Sequence, residues 1–173
     1  MRILAVCGSL QAKSANLELL KLAAATAPEG VEIILFSGLD RLPHFNPDLE
    51  AGGAEAPAAV TAWRRALAES DAVLISSPEY GFSLPGVLKN GVDWVIGSGE
   101  LERKVVAVTA AVPGPARGRM GLQALQQTLG AVRARIVGGE PIARGESFER
   151  EVRALVSSLV EAARAARAGD DSI

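Results

Sequence analysis

The sequence predicts an α/β protein, a doubly wound five-stranded parallel sheet with helices on both faces. Three observations carry that expectation. Apolar runs at residues 3–7, 31–36, 72–76 and 104–111 are largely continuous in Val, Ile, Leu and Ala rather than alternating with polar residues, and 131–137, broken by Arg133 and Arg135, can supply a fifth strand. A strand buried on both faces needs that composition, whereas a half-solvated strand alternates. Segments of helical periodicity separate these runs, the pattern of a sheet built from strand–helix units. The length of 173 residues matches one domain, with enough chain to bury a core without covalent staples.

The elements follow in order. The first strand, residues 3–7, stops at Gly8, and a helix spans 14–27 with Leu17, Leu20, Ala24 and Ala27 at helical spacing. A second strand covers 31–36. Residues 37–57, with LPHFNPDLEAGG, read as a loop because Pro, Asn, Asp and Gly cluster there. Residues 58–69 read as helix and 72–76 as the third strand. Pro85 opens a helix over 85–96, at a first-turn position where a missing N–H is tolerated. Residues 104–111 are the fourth strand, 118–129 a helix and 131–137 the fifth strand. A helix over 148–167 closes the chain, with Val152, Leu155, Val156, Leu159 and Ala163 on one stripe. Five such units in one domain of residues 1–173 fit a flavodoxin-like sheet, whose ligands sit beyond the carboxyl ends of the strands.

Composition narrows the function. Aromatic residues make up only 4%, so Ala, Val and Leu must fill the core. A formal net charge of −2 leaves no basic footprint for nucleic acid. Cys7 is the sole cysteine and His44 the sole histidine, which excludes an internal disulfide and a Cys/His metal cluster. No window approaches the roughly 20 apolar residues of a membrane span. The N-terminal apolar run ends after about six residues, short of a signal-peptide core. The expectation is a cytoplasmic protein with neither nucleic-acid nor membrane partners.

The stretch VCGSLQAKSANLELL, residues 6–20, crowds hydrogen-bond donors into the turn between the first strand and its helix. In a doubly wound sheet that turn aims its N–H groups at the ligand, and the helix N-terminus adds a positive partial charge. A phosphate suits both. Gly8 lets the backbone turn, while Ser9, Ser14 and Asn16 add donors; the plainer alternative makes Ser14 an ordinary helix cap and Ser9 part of a polar turn. Three phosphate motifs compete. The dinucleotide fingerprint G-x-G-x-x-G fails, because only Gly8 is present. A P-loop aligned on Lys13-Ser14 finds Cys7 and Ala12 where its glycines belong. A flavin mononucleotide loop of uncharged hydroxyls and amides survives.

SSPEYGFSLPGVLKNGVDW, residues 76–94, follows the third strand directly. Pro78 and Gly81 shape a turn beside the first loop, where a flat ring can rest on backbone atoms; simple loop packing is the alternative. With both motifs in view, the chain resembles the NADPH-dependent FMN reductase family, which includes quinone, azo-dye and chromate reductases. GSLQAKSAN resembles that family's GSxRxxSxN, and PEYGFSLPGVLKNGVDW resembles its PEYNxSxPGxLKNAIDW. LPHFNPDLE resembles a further segment, and the likeness runs from Met1 to about Leu129.

The resemblance implies FMN at the strand ends. By position, Ser9, Gln11, Ser14, Ala15 and Asn16 would surround the phosphate, and Pro78, Glu79, Tyr80 and Gly81 would line the isoalloxazine. Gly114, in the turn after the fourth strand, would belong to another wall. The family implies hydride transfer from NADPH or NADH through FMN to a small electron acceptor such as a quinone, azo compound, metal oxyanion or free flavin. No catalytic side chain is needed, because the flavin carries the chemistry. A homodimer or homotetramer is implied, with Trp94 expected at a subunit interface. Two departures stand out: Gln11 replaces the family's Arg, and Gly81 replaces Asn. Glu79 is weighed as a general base against a contribution through its backbone or a pairing with a neighbouring cation, and Arg117 and Arg119 as ligands of NADPH phosphates against solvated side chains. A non-catalytic flavin-binding electron carrier or sensor is the competing function. Small carriers of that kind have strongly acidic surfaces, and the near-neutral charge favours the enzyme.

Overall fold

The computed structural model describes residues 1–53, 55–114 and 117–170. In chain order the strands are β1 (Arg2–Cys7), β2 (Glu32–Phe36), β3 (Ala72–Ser76), β4 (Val105–Thr109), β5 (Ala111–Val112), β6 (Arg135–Gly138) and β7 (Ile142–Ala143). The helices are α1 (Ala15–Ala25), α2 (Ala58–Ala68), α3 (Gly86–Asp93), α4 (Arg119–Ala131) and α5 (Phe148–Asp170). Five strands form one parallel sheet in the order β2-β1-β3-β4-β6, with Ile3 in register with Ile33 on one side and Ala72 on the other. The chain leaves β1 first to one side, for β2, and then to the other, for β3. Such a reversal opens a crevice at the carboxyl ends of β1 and β3.

Strand side chains alternate between faces, and the two faces make two cores. Leu4, Val6, Val73 and Ile75 pack with Trp63, Leu88 and Leu122 from α2, α3 and α4. Ile3, Ala5, Ala72 and Leu74 pack with Leu19, Leu20 and Val156 from α1 and α5. Every residue of β3 and β4 is buried, as their unbroken AVLIS and VVAVT require. Among the described residues no helix is long and apolar enough to cross a membrane.

The structure moves several expected boundaries. α1 begins at Ala15, with Ser14 as its N-cap and the Ser14 Oγ accepting the Leu17 N–H at 3.4 Å. Pro85 also lies outside its helix, as the N-cap of α3 at φ −60° and ψ 141°. α3 stops at Asp93 rather than residue 96, because the Arg64 guanidinium takes the Trp94 carbonyl at 2.7 and 3.1 Å. The turn then tightens, with Val95 and Ile96 donating to Val92 and Asp93. The run at 104–111 breaks at Ala110, and β5 leaves the main sheet to pair with β7, a strand with no signature in the sequence. β6 starts only at Arg135 because α4 continues to Ala131 and Arg133 turns the chain at φ +58°. The long loop carries two 3-10 turns, Leu39–Arg41 and Pro47–Gly53.

Trp94 corrects an expectation. It is fully buried within the subunit, donating its Nε1–H to the Pro43 carbonyl at 2.8 Å and meeting Phe45 edge-on at 5.1 Å between ring centroids. Asn90 holds the same loop by accepting the Phe45 N–H at 2.8 Å and donating to Pro43 at 3.0 Å. The polar residues of the LKNGVDW helix thus anchor the LPHFNPDLE loop, while Lys89 and Asp93 pair on the surface at 2.6 Å.

Candidate functional site

The turn after β1 and the turn after β3 meet at the crevice. Gly8 donates its N–H to the Ser76 carbonyl at 2.9 Å, and a Cβ at Gly8 would stand 2.6 Å from Ser77 Oγ and 3.2 Å from Ser77 Cα. Only a residue without a side chain lets the loops abut in this way. Between Gly8 and α1, Ser9 Oγ accepts the Gln11 N–H at 3.2 Å, which curls the turn. Gln11 and Lys13 are exposed, Ser9 and Ala15 half-buried, and Ser14 buried beneath them. Ala12 and Lys13 form a turn that closes Ser14 back on Gln11, and among the described residues no protein acceptor takes the N–H groups of Ala12, Lys13, Ala15 and Asn16. Open N–H groups in a turn feeding a helix N-terminus make a concave seat for an anion.

Asn16 does more than face that seat. Its Oδ1 accepts the Ser76 hydroxyl at 2.8 Å and the Ala111 N–H at 2.9 Å, with the residue only 5% exposed. One carbonyl thereby joins α1 to the ends of β3 and β5. An anion at this turn would meet the backbone of Asn16 and its Nδ2, since Oδ1 is an acceptor already engaged. Ser76 escaped the sequence reading, although a serine closing an otherwise apolar strand was its signal.

In the second loop, Tyr80 and Ser83 exchange backbone hydrogen bonds at 2.9 and 3.0 Å around Gly81 (φ +56°) and Phe82 (φ +61°). Positive φ at both central residues defines the hairpin turn that Asn and Gly favour. Gly81 therefore keeps the conformation that the family's Asn also tolerates. Glu79 has a structural employment. Its Oε2 accepts the Gly121 N–H of the first turn of α4 at 2.9 Å, and a Cβ on Gly121 would come within 2.9 Å of Glu79 Cα. A carboxylate at a helix N-terminus satisfies an orphan donor and complements the helix dipole.

The third wall comes from the segment after β5. Pro78, Glu79, Val112, Pro113, Arg117 and Gly118 line a cleft of about 210 Å³. Gly114 is half-buried beside it and accepts the Arg117 N–H at 3.2 Å. Arg119 is tied to Glu140 at 2.6 Å, so of the two arginines Arg117 is the one on the cleft. A larger groove, about 400 Å³, runs along the outer edge of β2 past Phe36, Ala58 and Ala62. It carries neither motif and lies on the flank of the sheet, so convergence of polar groups rather than volume identifies the site. The described residues contain no cluster of three or more His, Cys, Asp or Glu placed to hold a metal.

These features suit FMN: open N–H groups for a phosphate at the first turn, and a backbone turn beside a cleft at the second. The family described as NADPH-dependent FMN reductase matches residues 1–148. An NAD(P)H-dependent FMN reductase of Pseudomonas aeruginosa is 35% identical over 129 residues, covering 75% of this chain and 67% of its own length. A probable NADPH:quinone oxidoreductase of Oryza sativa is 38% identical over 96 residues, 54% of this chain and 49% of that protein. The match thus spans about half the length of the plant relative. Among solved structures, the flavoenzyme NAD(P)H:(acceptor) oxidoreductase FerB from Paracoccus denitrificans superposes with a TM-score of 0.77 at 27% identity, over 92% of this chain and 97% of that one. The azoreductase AzrA, at 17% identity and a TM-score of 0.59, shares the fold. With the family match covering most of its length and both motif loops meeting at the switch point of the sheet, this chain belongs to the NADPH-dependent FMN reductase family.

Proposed function

We infer that the chain is an FMN-dependent NAD(P)H oxidoreductase acting on a small acceptor, with the phosphate in the turn of residues 9–16 and the ring on residues 78–81. The observation that carries this reading is the abutment of the two loops at Gly8 and Ser77, beside a run of open backbone N–H groups. FMN, when bound, supplies two-electron transfer from NAD(P)H to a quinone, azo compound, metal oxyanion or free flavin. The protein's own share is positional. N–H groups of Ala12, Lys13, Ala15 and Asn16, with the Ser9 hydroxyl, bind the phosphate. Asn16 fixes the floor between α1, β3 and β5. The rigid Tyr80–Ser83 turn presents backbone to one face of the ring, and Glu79 holds that turn against α4. Gly114 and Arg117 border the remaining wall, where the nicotinamide nucleotide would enter. The same reading takes residues 1–173 as one domain, places the protein in the cytoplasm, and expects a homodimer or homotetramer.

Titration of apoprotein with FMN, followed by anaerobic addition of NADPH, tests the proposal. Stoichiometric quenching of flavin fluorescence and then bleaching of the 450 nm band, at roughly the position expected of any flavin, are the expected results. Protein that takes up FMN yet is not reduced by NADPH or NADH is a carrier or sensor. Protein that takes up none has lost the assigned site.

A further inference from the structure

We propose that Phe82 is a specificity-determining residue for the oxidising substrate, its exposed ring stacking on a flat aromatic acceptor of the quinone class. This rests on the FMN reading above. Phe82 occupies the second central position of the Tyr80–Ser83 turn at φ +61°. A bulky residue is a genuine outlier there, since the left-handed region sets Cβ against its own carbonyl. The other described non-glycine residues at positive φ are Arg103 and Arg133, which precede β4 and β6 at the opposite end of the sheet. Phe82 is 71% exposed, so little burial offsets the strain. Strain held at an unburied aromatic, on the loop assigned to the flavin, points to a binding role.

The neighbourhood agrees. Leu10, Tyr80 and Met120 are 61%, 54% and 51% exposed, so with Phe82 half of the eight large exposed apolar side chains among the described residues stand on the segments bordering the crevice. Leu10 lies in the first turn, Tyr80 and Phe82 in the second, and Met120 in the first turn of α4 beside Gly121. The cleft of about 210 Å³ is smaller than the pockets that enclose a drug-sized ligand, so an acceptor on the outer face of the flavin meets this apolar rim. A flat aromatic ring suits it, through offset or edge-on stacking. A benzoquinone is balanced with the family's donor: hydride from NAD(P)H brings two electrons and one proton, solvent gives the second proton, and hydroquinone and NAD(P)+ leave.

The test compares holoprotein with Phe82→Gly, Phe82→Leu and Phe82→Tyr, reading KM for 1,4-benzoquinone against KM for ferricyanide, an inorganic acceptor with no ring to stack. Phe82→Gly and Phe82→Leu are expected to raise the quinone-to-ferricyanide KM ratio roughly three- to tenfold, and Phe82→Tyr to restore it. Phe82→Gly is also expected to melt a few degrees higher, because glycine relieves the positive φ. FMN affinity, read by fluorescence quenching, separates the two levels of the argument. If the parent binds no FMN, the cofactor reading falls and this one with it. If parent and variants bind FMN alike but the KM ratio does not move, Phe82 has no such role and the cofactor reading stands. A smaller sedimentation coefficient for Phe82→Gly also overturns the proposal, because the ring would then belong to a subunit contact.

Discussion

At the end of β1, the space beside Gly8 is already filled by Ser77, down to the 3.2 Å that separates a built Cβ from the Ser77 Cα. Rotating the serine hydroxyl away would not clear the backbone. Gly8→Ala is therefore expected to push the two loops apart, destabilising the fold by about 1–3 kcal/mol as overpacking does and weakening FMN binding with it. Thermal melts and FMN titration on the same variant check both effects; a variant that melts and binds like the parent would show that the contact yields freely. Asn16 needs a different experiment from Ser9, although both sit on the phosphate turn. Asn16→Ala strands the buried Ser76 hydroxyl and Ala111 N–H, at about 1–3 kcal/mol for each unsatisfied group, so it is expected to destabilise the protein even without FMN. Ser9→Ala removes only an exposed-turn acceptor and a potential phosphate donor. Its expected signature is weaker FMN binding with the apoprotein melting temperature nearly unchanged.

At the scale of elements, α4 depends on a residue outside itself. Gly118, its N-cap, has no side chain to satisfy the first-turn donors, and Glu79 reaches across from the second loop to accept the Gly121 N–H. Glu79→Ala is expected to cost about 1 kcal/mol, the usual worth of a cap, with Glu79→Gln intermediate because it keeps an acceptor but loses the charge. Urea denaturation measures the order; equal stability of all three forms would deny the cap. Glu79 also illustrates what the sequence could and could not disclose. Continuous apolar runs disclosed the parallel sheet, because a strand buried on both faces has little alternative composition. The two motif loops were legible as turns because glycine tolerates the positive φ and close approach that tight turns need, proline fixes φ, and serine caps the helix that follows. Contacts across long stretches were not legible. Nothing near Asn16 announces Ala111, 95 residues away, or that β5 leaves the main sheet. Likewise nothing near Glu79 announces the helix it caps, nor near Trp94 that its indole is committed to Pro43 inside the same subunit. Residue type and spacing report local geometry, whereas these partners are chosen by the packing of whole layers.

Across the whole molecule, one cation ties the long loop to the helical layer. Arg64, on α2, makes a two-pronged pair with Glu50 in the 3-10 turn, lies 4.0 Å from Glu100, and donates to the Trp94 carbonyl beyond α3. Its hydrogen bonds hold the Glu50 carboxyl below the ordinary carboxylate range, with partial burial opposing and the charge of Arg64 reinforcing the effect. The sign follows directly. A carboxyl whose value is lower in the folded chain is ionised there over a wider pH range than in the unfolded one, so the unfolded chain takes up protons first as pH falls. The pair accordingly contributes its full stability above about 4.3, the usual value for a free Glu, and loses it as pH drops through the depressed folded value. Between pH 7 and 5 the difference in denaturation midpoint between the parent and Glu50→Gln is expected to stay constant; below about 4.3 it should shrink toward zero. Because Trp94 shares its carbonyl with Arg64 and its ring contact with Phe45, indole fluorescence should follow the same acid transition in the parent and begin at higher pH in Glu50→Gln. A midpoint difference that persists unchanged to pH 3, at roughly one unit below the free carboxyl, would mean that the loop is held by its apolar contacts and not by the Arg64 pair.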